Sequence, residues 1–245
     1  MSQDLRRLDQ ALVERGLVPS RTRAREWIES GRVRLNGKTV VKPATPVQLS
    51  DSIDVDPPEF HWVSRGADKL LAALDRFGVD PSGKIALDIG ASTGGFTEVL
   101  LSRGAEKVFA IDVGQGQLDQ KLKSDPRVIP VEKYNARHFN PTDFAPASLM
   151  VMDVSFISIR LVVPAVLQGL LPGADLVVLF KPQFEVGREY IGSGGIVREL
   201  ATRERALSEV IDWSKSLPLL HCGAMESPVV GGDGNHEYLI HWKVI

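Results

Sequence analysis

In this 245-residue chain, acidic and basic side chains stand at the ends of short apolar runs, with glycines beside them. Asp88 lies in the run Ile85-Ala86-Leu87-Asp88-Ile89, short enough for a buried strand. Gly90, Gly94 and Gly95 follow, and then Phe96, Val99 and Leu100 recur at helical spacing. Glycines at a strand-to-helix turn reach backbone conformations closed to residues with a Cβ and let a ligand come close to the main chain. The next apolar run, from Lys107, ends in Asp112, where a carboxylate can accept hydrogen bonds from both hydroxyls of a ribose. Together these describe a nucleoside-binding corner. The spacing is DxGxxxGGF and not GxGxxG, so no pyrophosphate site is indicated. Two more charged groups close apolar runs: Asp153 after Leu149 to Met152, and Lys181 after Leu176 to Phe180. If these runs are parallel strands, both groups face the same crevice as Gly90 and Asp112. Lys69 falls in the first turn of a helix, where the helix dipole disfavours a cation, a hint that it serves something other than the helix.

The elements that must position these groups can be read in order. Residues 4 to 31 form two short helices: Leu5, Leu8, Ala11 and Leu12 line one, stopped by Gly16, and Ser20 caps the other, whose Ala24, Trp27 and Ile28 face inward before Gly31. Val33, Leu35, Asn36-Gly37 and Val40 give strand, tight turn and strand, continuing through Pro43 and Pro46 to Ile53 and Val55. Asp56-Pro57-Pro58 is a stiff extended break, which divides the chain into domains 1–60 and 61–245. Beyond it, Leu70, Leu71, Leu74 and Phe77 form the buried stripe of a helix. Val128 to Val131 is a third strand after Ile85 to Ile89 and Lys107 to Asp112, and Leu149 to Asp153 a fourth. A helix then stops at Pro172-Gly173, and the apolar run Leu176 to Phe180 reads as a fifth strand buried on both faces. The glycine-rich loop Gln183 to Gly195 reads as mobile. Helix Thr202 to Ser216 and strands near Leu219 to Met225 and Glu237 to Val244 complete the sheet.

Composition narrows the function classes. An apolar content of 43% can fill one α/β domain plus a small module, and a net charge of -2 excludes a uniformly basic nucleic-acid binder. Any such contact needs a local patch, and one exists: Arg21, Arg23, Arg25, Arg32, Arg34, Lys38 and Lys42 crowd the second helix and the strand after it, with only Glu26 and Glu29 among them. Guanidinium forks of this kind engage phosphates, although most charge runs are simply solvated faces. The single cysteine, Cys222, allows no internal disulfide, and the five histidines show no metal-ligand spacing, so no metal is expected. Neither a leader nor an apolar span is written in the chain, which makes the cytoplasm the default and a membrane partner unexpected.

These residues carry several resemblances. The glycine turn with Asp112 resembles motifs I and II of the S-adenosylmethionine-dependent methyltransferases. The stretch RLDQALVERGLVPSRTRAREWIESGRVRLNG resembles the S4 RNA-binding domain. Adding Glu237 to Lys69, Asp153 and Lys181 gives the order Lys, Asp, Lys, Glu, similar to the catalytic tetrad of FtsJ/RrmJ-type ribose 2′-O-methyltransferases. The whole chain, through VSRGADKL, LDIGASTGGFT, MDVSFIS, LFKPQFE and GNHEYL, resembles the TlyA family of ribosomal RNA 2′-O-methyltransferases, whose members also carry the name haemolysin.

The resemblance implies an α/β fold: a Rossmann-like class I methyltransferase domain with a mostly parallel seven-stranded sheet, preceded by a small α+β S4 domain. It implies S-adenosylmethionine as cofactor, with Asp88, Gly90, Ala91, Ser92, Thr93, Gly94, Gly95 and Phe96 around its methionine part, Asp112 on its ribose, Asn135 on the adenine, and Asp153 nearby. The implied catalytic set is Lys69, Asp153, Lys181 and Glu237. The implied substrate is ribosomal RNA or a ribosomal subunit, modified at a cytidine and held by Arg6, Arg21, Arg23, Arg25, Arg32, Arg34 and Lys38. A ribose hydroxyl is a poor nucleophile at neutral pH, so transfer needs a base or strict in-line placement, and Lys181 is the candidate for both. A lysine is a base only when neutral, a state that a neighbouring cation favours and carboxylates oppose, which leaves both roles open. Three rivals compete: an RNA-binding protein with an inactive methyltransferase-like domain, against which the intact tetrad speaks; a membrane-active haemolysin, which no amphipathic stretch supports; and a nicotinamide oxidoreductase, which lacks its GxGxxG.

Overall fold

A computed structural model describes residues 5–18, 21–56, 62–231 and 234–245, apart from the side chain of Thr22. Ser20, Pro57, Pro58 and His61 lie outside these residues. The chain divides into two compact units, Met1–His61 and Trp62–Ile245.

In the first unit, β1 (Arg6–Arg7) leads into α1 (Leu8–Glu14), and α2 (Arg21–Glu29) precedes β2 (Val33–Leu35), β3 (Lys38–Thr39), β4 (Pro46–Val47) and β5 (Ile53–Val55). Leu8, Ala11 and Leu12 recur at helical spacing, and they pack with Ala24, Trp27, Ile28, Val33 and Val47. Leu5 does not share that face: it is 56% exposed and precedes the helix, because Arg6 and Arg7 are drawn into a strand paired with β4. Asn36 and Gly37, both at positive φ (50° and 76°), turn β2 back onto β3, as a tight hairpin requires.

The second unit is built on a seven-stranded sheet. In chain order its elements are α3 (Gly66–Phe77), β6 (Ile85–Ile89), α4 (Gly95–Ser102), β7 (Lys107–Ile111), α5 (Gln120–Lys123), β8 (Val128–Val131), β9 (Ala147–Met152), α6 (Val163–Val166), β10 (Leu170–Phe180), α7 (Leu200–Ser214), β11 (Leu219–Glu226) and β12 (Tyr238–Val244). The strand order is β11-β12-β10-β9-β6-β7-β8, with β10, β9, β6, β7 and β8 parallel and β12 antiparallel to both neighbours. β6 pairs with β7 on one side and β9 on the other, so the chain reverses direction across the sheet beside β6. Such a switch point opens a crevice at the carboxyl ends of the strands.

Each face of the sheet has its own apolar layer. Ala67, Leu70, Ala73 and Leu74 of α3 and Val99 and Leu100 of α4 cover one, and residues between Ala136 and Val166, with Ala206 and Val210 of α7, cover the other. Within α3, Leu71 and Phe77 are only partly buried, and Ala67 and Ala73 take the places expected of them in the stripe. The segment after β9 is broken into short turns and α6. Pro172-Gly173, expected to stop a helix, lies within β10, where the register against β9 shifts between Leu170 and Asp175. Proline offers no N–H to a ladder, and Gly173 adopts φ 80°, so the pair interrupts pairing and not a helix. The expected loop after β10 contains two short 3-10 turns, at Pro182–Phe184 and Arg188–Tyr190.

Candidate active site at the carboxyl edge of the sheet

Alternation along the strands decides which groups face one another. On β10, Leu176, Val178 and Phe180 belong to one apolar layer and Val177 and Leu179 to the other, so Lys181, two residues past Leu179, falls on the side of α3 and α4. The same count places Asp153 two after Val151, Asp112 two after Ala110, and Glu237 two before Leu239 on that side. Lys69 reaches it from the first turn of α3. Phe180 pairs with Tyr238 at the end of the β10–β12 ladder, which sets Lys181 and Glu237 across from each other.

The two lysines are held separately. Lys69 Nζ donates to Glu237 Oε2 at 2.5 Å with both residues buried. Lys181 Nζ lies 2.6 Å from Asp153 Oδ1 and donates to Ser155 Oγ at 2.8 Å. Ser155 is a member of the site that no local sequence signal had marked, because its link to Lys181 exists only once β9 and β10 are paired.

Beside these pairs lies a cavity of about 390 Å³. Gly90, Ser92, Asp112, Asn135 and Asp153 of the expected cofactor set line it, together with Ile111, Val113, Gln117, Tyr134, Ala136, Arg137, Ser155, Phe156 and Val162, which were not expected. Asp112 accepts the Ser92 N–H on Oδ2 at 2.9 Å and the Gly114 N–H on Oδ1 at 2.7 Å. Each carboxylate oxygen keeps a further lone pair. Asn135 Oδ1 accepts the Arg137 N–H at 3.1 Å and so caps the turn Ala136–His138.

Asp88, Ala91, Thr93, Gly94, Gly95 and Phe96 are not among the lining residues. Asp88 is fully buried behind the turn, where it accepts the Thr97 hydroxyl at 2.6 Å and its other oxygen has no hydrogen-bond partner. Burial pushes its carboxyl up to about 7. Phe96 packs in the apolar layer under α3 and α4. Gly90, at φ 84°, is needed for the turn itself, since a Cβ there would overlap the Asp153 carbonyl. Gly95 makes room for protein, because a Cβ would meet the Ser64 hydroxyl at the entrance to α3.

Phe156 is the most exposed large apolar side chain among the described residues, at 91%, and sits at φ 63° with its ring 5.3 Å from that of Phe184. The loop carrying it is fastened by Glu185, which accepts the Ser158 hydroxyl at 2.7 Å and the Ile159 N–H at 2.8 Å. Burial raises the Glu185 carboxyl above its ordinary range.

In the first unit, the expected RNA-facing side chains have the following partners: Arg6 with Glu14, Arg21 and Arg25 with Asp9, and Arg23 with Glu26. Arg23 is buried, which removes most of its fork from the surface, while Arg34 and Lys38 are exposed and Arg32 is half-buried. Among the described residues no group of three or more His, Cys, Asp or Glu could hold a metal ion, and no helix is long and apolar enough to cross a membrane.

The strand order, the glycine turn at the switch point and the charged strand ends define a Rossmann-like class I methyltransferase domain, here preceded by an S4 unit. Residues 62–244 match the model of the FtsJ-like methyltransferases, and residues 6–53 that of the S4 domain. The chain is 46% identical over 236 residues to the 16S/23S rRNA (cytidine-2'-O)-methyltransferase TlyA of Mycobacterium tuberculosis, spanning 96% of this chain and 88% of that protein. It is 41% identical over 245 residues to Hemolysin A of Brachyspira hyodysenteriae, spanning 97% and 100%. A solved structure from Streptococcus thermophilus, named as a hemolysin, superimposes with a TM-score of 0.78 at 39% identity and covers 99% of this chain and 90% of that one. The chain belongs to the TlyA family of S4-containing, FtsJ-like methyltransferases.

Proposed function

We propose that this protein methylates the ribose 2′-hydroxyl of a cytidine in ribosomal RNA with S-adenosylmethionine as donor, and that it works in the cytoplasm, where that RNA resides. The carrying observation is the gathering of two lysine–carboxylate pairs on one side of the sheet edge, next to a cavity with a free ribose acceptor.

The residues fit the cofactor. A volume of about 390 Å³ lies in the range of small-molecule sites. Asp112 keeps two acceptor positions for ribose hydroxyls, Asn135 offers an amide to the adenine edge, and Ile111, Val113, Ala136 and Val162 supply apolar walls. Gly90 and Ser92 face the cavity while Asp88, Ala91, Thr93, Gly94, Gly95 and Phe96 shape the turn from behind. Bound S-adenosylmethionine supplies an electrophilic methyl group on a sulfonium.

The chain's own residues do the rest by placing the acceptor. Ser155 engages one donor of Lys181 and Asp153 stands beside it as counter-ion, which leaves an N–H of the ammonium to hold the 2′-oxygen in line. Lys69, fixed by Glu237, presents a second ammonium to the acceptor nucleotide. Phe156 offers a face on which an unstacked base can rest. The exposed arginines of the S4 unit, Arg21, Arg25 and Arg34 among them, bind RNA phosphates.

The experiment is transfer of a tritiated methyl group by purified protein to ribosomal RNA from a strain lacking the enzyme, followed by nuclease digestion and mass mapping. The label should appear as 2′-O-methylcytidine. Label on a base, or no transfer with cofactor bound, would sink the proposal.

A further inference from the structure

Asp9 is buried in the first turn of α1, yet three arginines converge on it. Arg7 Nε donates to Oδ1 at 2.9 Å and Arg7 Nη2 to Oδ2 at 3.2 Å; Arg21 Nη2 and Arg25 Nε donate to Oδ2 at 3.1 and 3.2 Å. A place near a helix N-terminus accounts for an acidic residue but not for three guanidinium groups gathered on it. Burial pushes the Asp9 carboxyl up, and the hydrogen bonds from Arg7, Arg21 and Arg25 outweigh it, holding the group well below the usual carboxylate range. Arg21 and Arg25 are one turn apart on α2, and all three side chains stay about half exposed. Each guanidinium has five N–H donors and gives Asp9 one or two, so most of the donors remain for another anion.

We propose that Asp9 is a positioning residue, which aims Arg7, Arg21 and Arg25 as one pre-formed fork at the phosphates of folded RNA. The proposal rests on the RNA-binding role of this unit. Arginine loses side-chain freedom when it binds phosphate, and a carboxylate that has already fixed three of them lowers that loss.

The test turns on sign. Asp9→Asn removes a negative charge from a phosphate-binding face, so charge alone would tighten RNA binding and steepen its salt dependence. Positioning requires the reverse: affinity for in vitro transcribed 23S ribosomal RNA, measured by filter binding with the full chain at several salt concentrations, should fall at least fivefold with a shallower slope. Thermal unfolding is followed in parallel. If Asp9→Asn melts the unit, Arg21→Lys with Arg25→Lys keeps both charges but replaces the forks with point charges, and should lose at least fivefold as well. Affinity at or above wild type in a folded Asp9→Asn, or wild-type affinity in the double lysine variant, would overturn the proposal. Arg21→Gln with Arg25→Gln separates the failures: unchanged RNA affinity there would remove RNA from this face altogether.

Discussion

Lys69 and Glu237 meet in a buried ion pair of 2.5 Å although 168 residues of chain separate them. One comes from the first turn of α3 and the other from the residue before β12, so the pair forms only when the whole sheet is assembled. Removing one partner strands a buried charge, and Glu237→Ala should cost about 3–5 kcal/mol in denaturant unfolding. Replacing both partners by apolar side chains often restores stability. Lys69→Met with Glu237→Leu should therefore fold within about 2 kcal/mol of wild type yet transfer no methyl. Full turnover in that double variant would make the pair purely structural.

Lys181 is held by Asp153 and Ser155 on the strand end next to the cavity. A residue that meets only the acceptor in the transition state lowers turnover without altering ground-state binding. Lys181→Ala should abolish transfer while cofactor and RNA affinities stay near wild type. Lys181→Arg retains hydrogen-bond donors but cannot take a proton, and it should keep measurable turnover if the side chain only aligns the 2′-oxygen. Activity in Arg as low as in Ala would assign it the proton.

Asp112 accepts the backbone N–H groups of Ser92, in the glycine turn, and Gly114, in the loop after β7, and keeps an acceptor site on each oxygen. Asp112→Ala would delete both proposed ribose contacts, each worth about 1.5–3 kcal/mol for a charged acceptor, and should weaken S-adenosylmethionine binding by at least tenfold. Calorimetry on the purified chain reads this directly, and wild-type affinity would remove Asp112 from the cofactor.

How far these groups were legible depends on whether their signal is local. The strands and the Gly90 turn announce themselves in a few consecutive residues, and period-two alternation then fixes the side on which Asp112, Asp153 and Lys181 fall. Ser155, Glu185 and Asp9 were missed because what marks each is a partner distant in sequence: Lys181 for Ser155, Ser158 for Glu185, and Arg21 and Arg25 for Asp9. Pro172-Gly173 misled for the opposite reason. A Pro-Gly pair interrupts a strand as readily as it stops a helix, and only the pairing of β10 with β9 and β12 distinguishes the two. The carboxylates were expected to orient the two ammonium groups, and the pairing partners, Glu237 for Lys69 and Asp153 for Lys181, follow only from the assembled sheet.

The fully buried Asp88 carboxyl gives the fold a pH dependence. Its ordinary value is 3.8, and burial raises it to about 7. Between these values the folded chain keeps a proton on Asp88 that the unfolded chain has released, so the contribution of this group to stability is fully present below pH 4, falls as pH rises, and levels off above pH 7. At about 1.4 kcal/mol per unit the loss is at most roughly 4 kcal/mol. Asp88→Asn can still accept the Thr97 hydroxyl and cannot ionise. Its stability relative to wild type should grow steadily between pH 5 and pH 7, and parallel stability curves for the two proteins would disprove the buried titration.

Phe156 combines two features that folding alone does not favour: 91% exposure of a large aromatic ring and a backbone at φ 63°, a region that costs an L-residue about 1–2 kcal/mol. The Glu185 bonds to Ser158 and Ile159 and the contact with Phe184 hold the loop in that shape. Strain and exposure next to Lys181 make sense if the ring receives the target base once it is unstacked, a contact worth about 1–3 kcal/mol. Phe156→Gly separates structure from function, because glycine relieves the backbone and deletes the ring. It should unfold at the same or a slightly higher temperature than wild type, bind S-adenosylmethionine equally well, and lose roughly fivefold to a hundredfold in kcat/KM for RNA. Phe156→Tyr, which keeps the face, should retain most of the activity. A glycine variant as active as wild type would show that the ring serves no substrate, and one that unfolds early would show that it serves the fold.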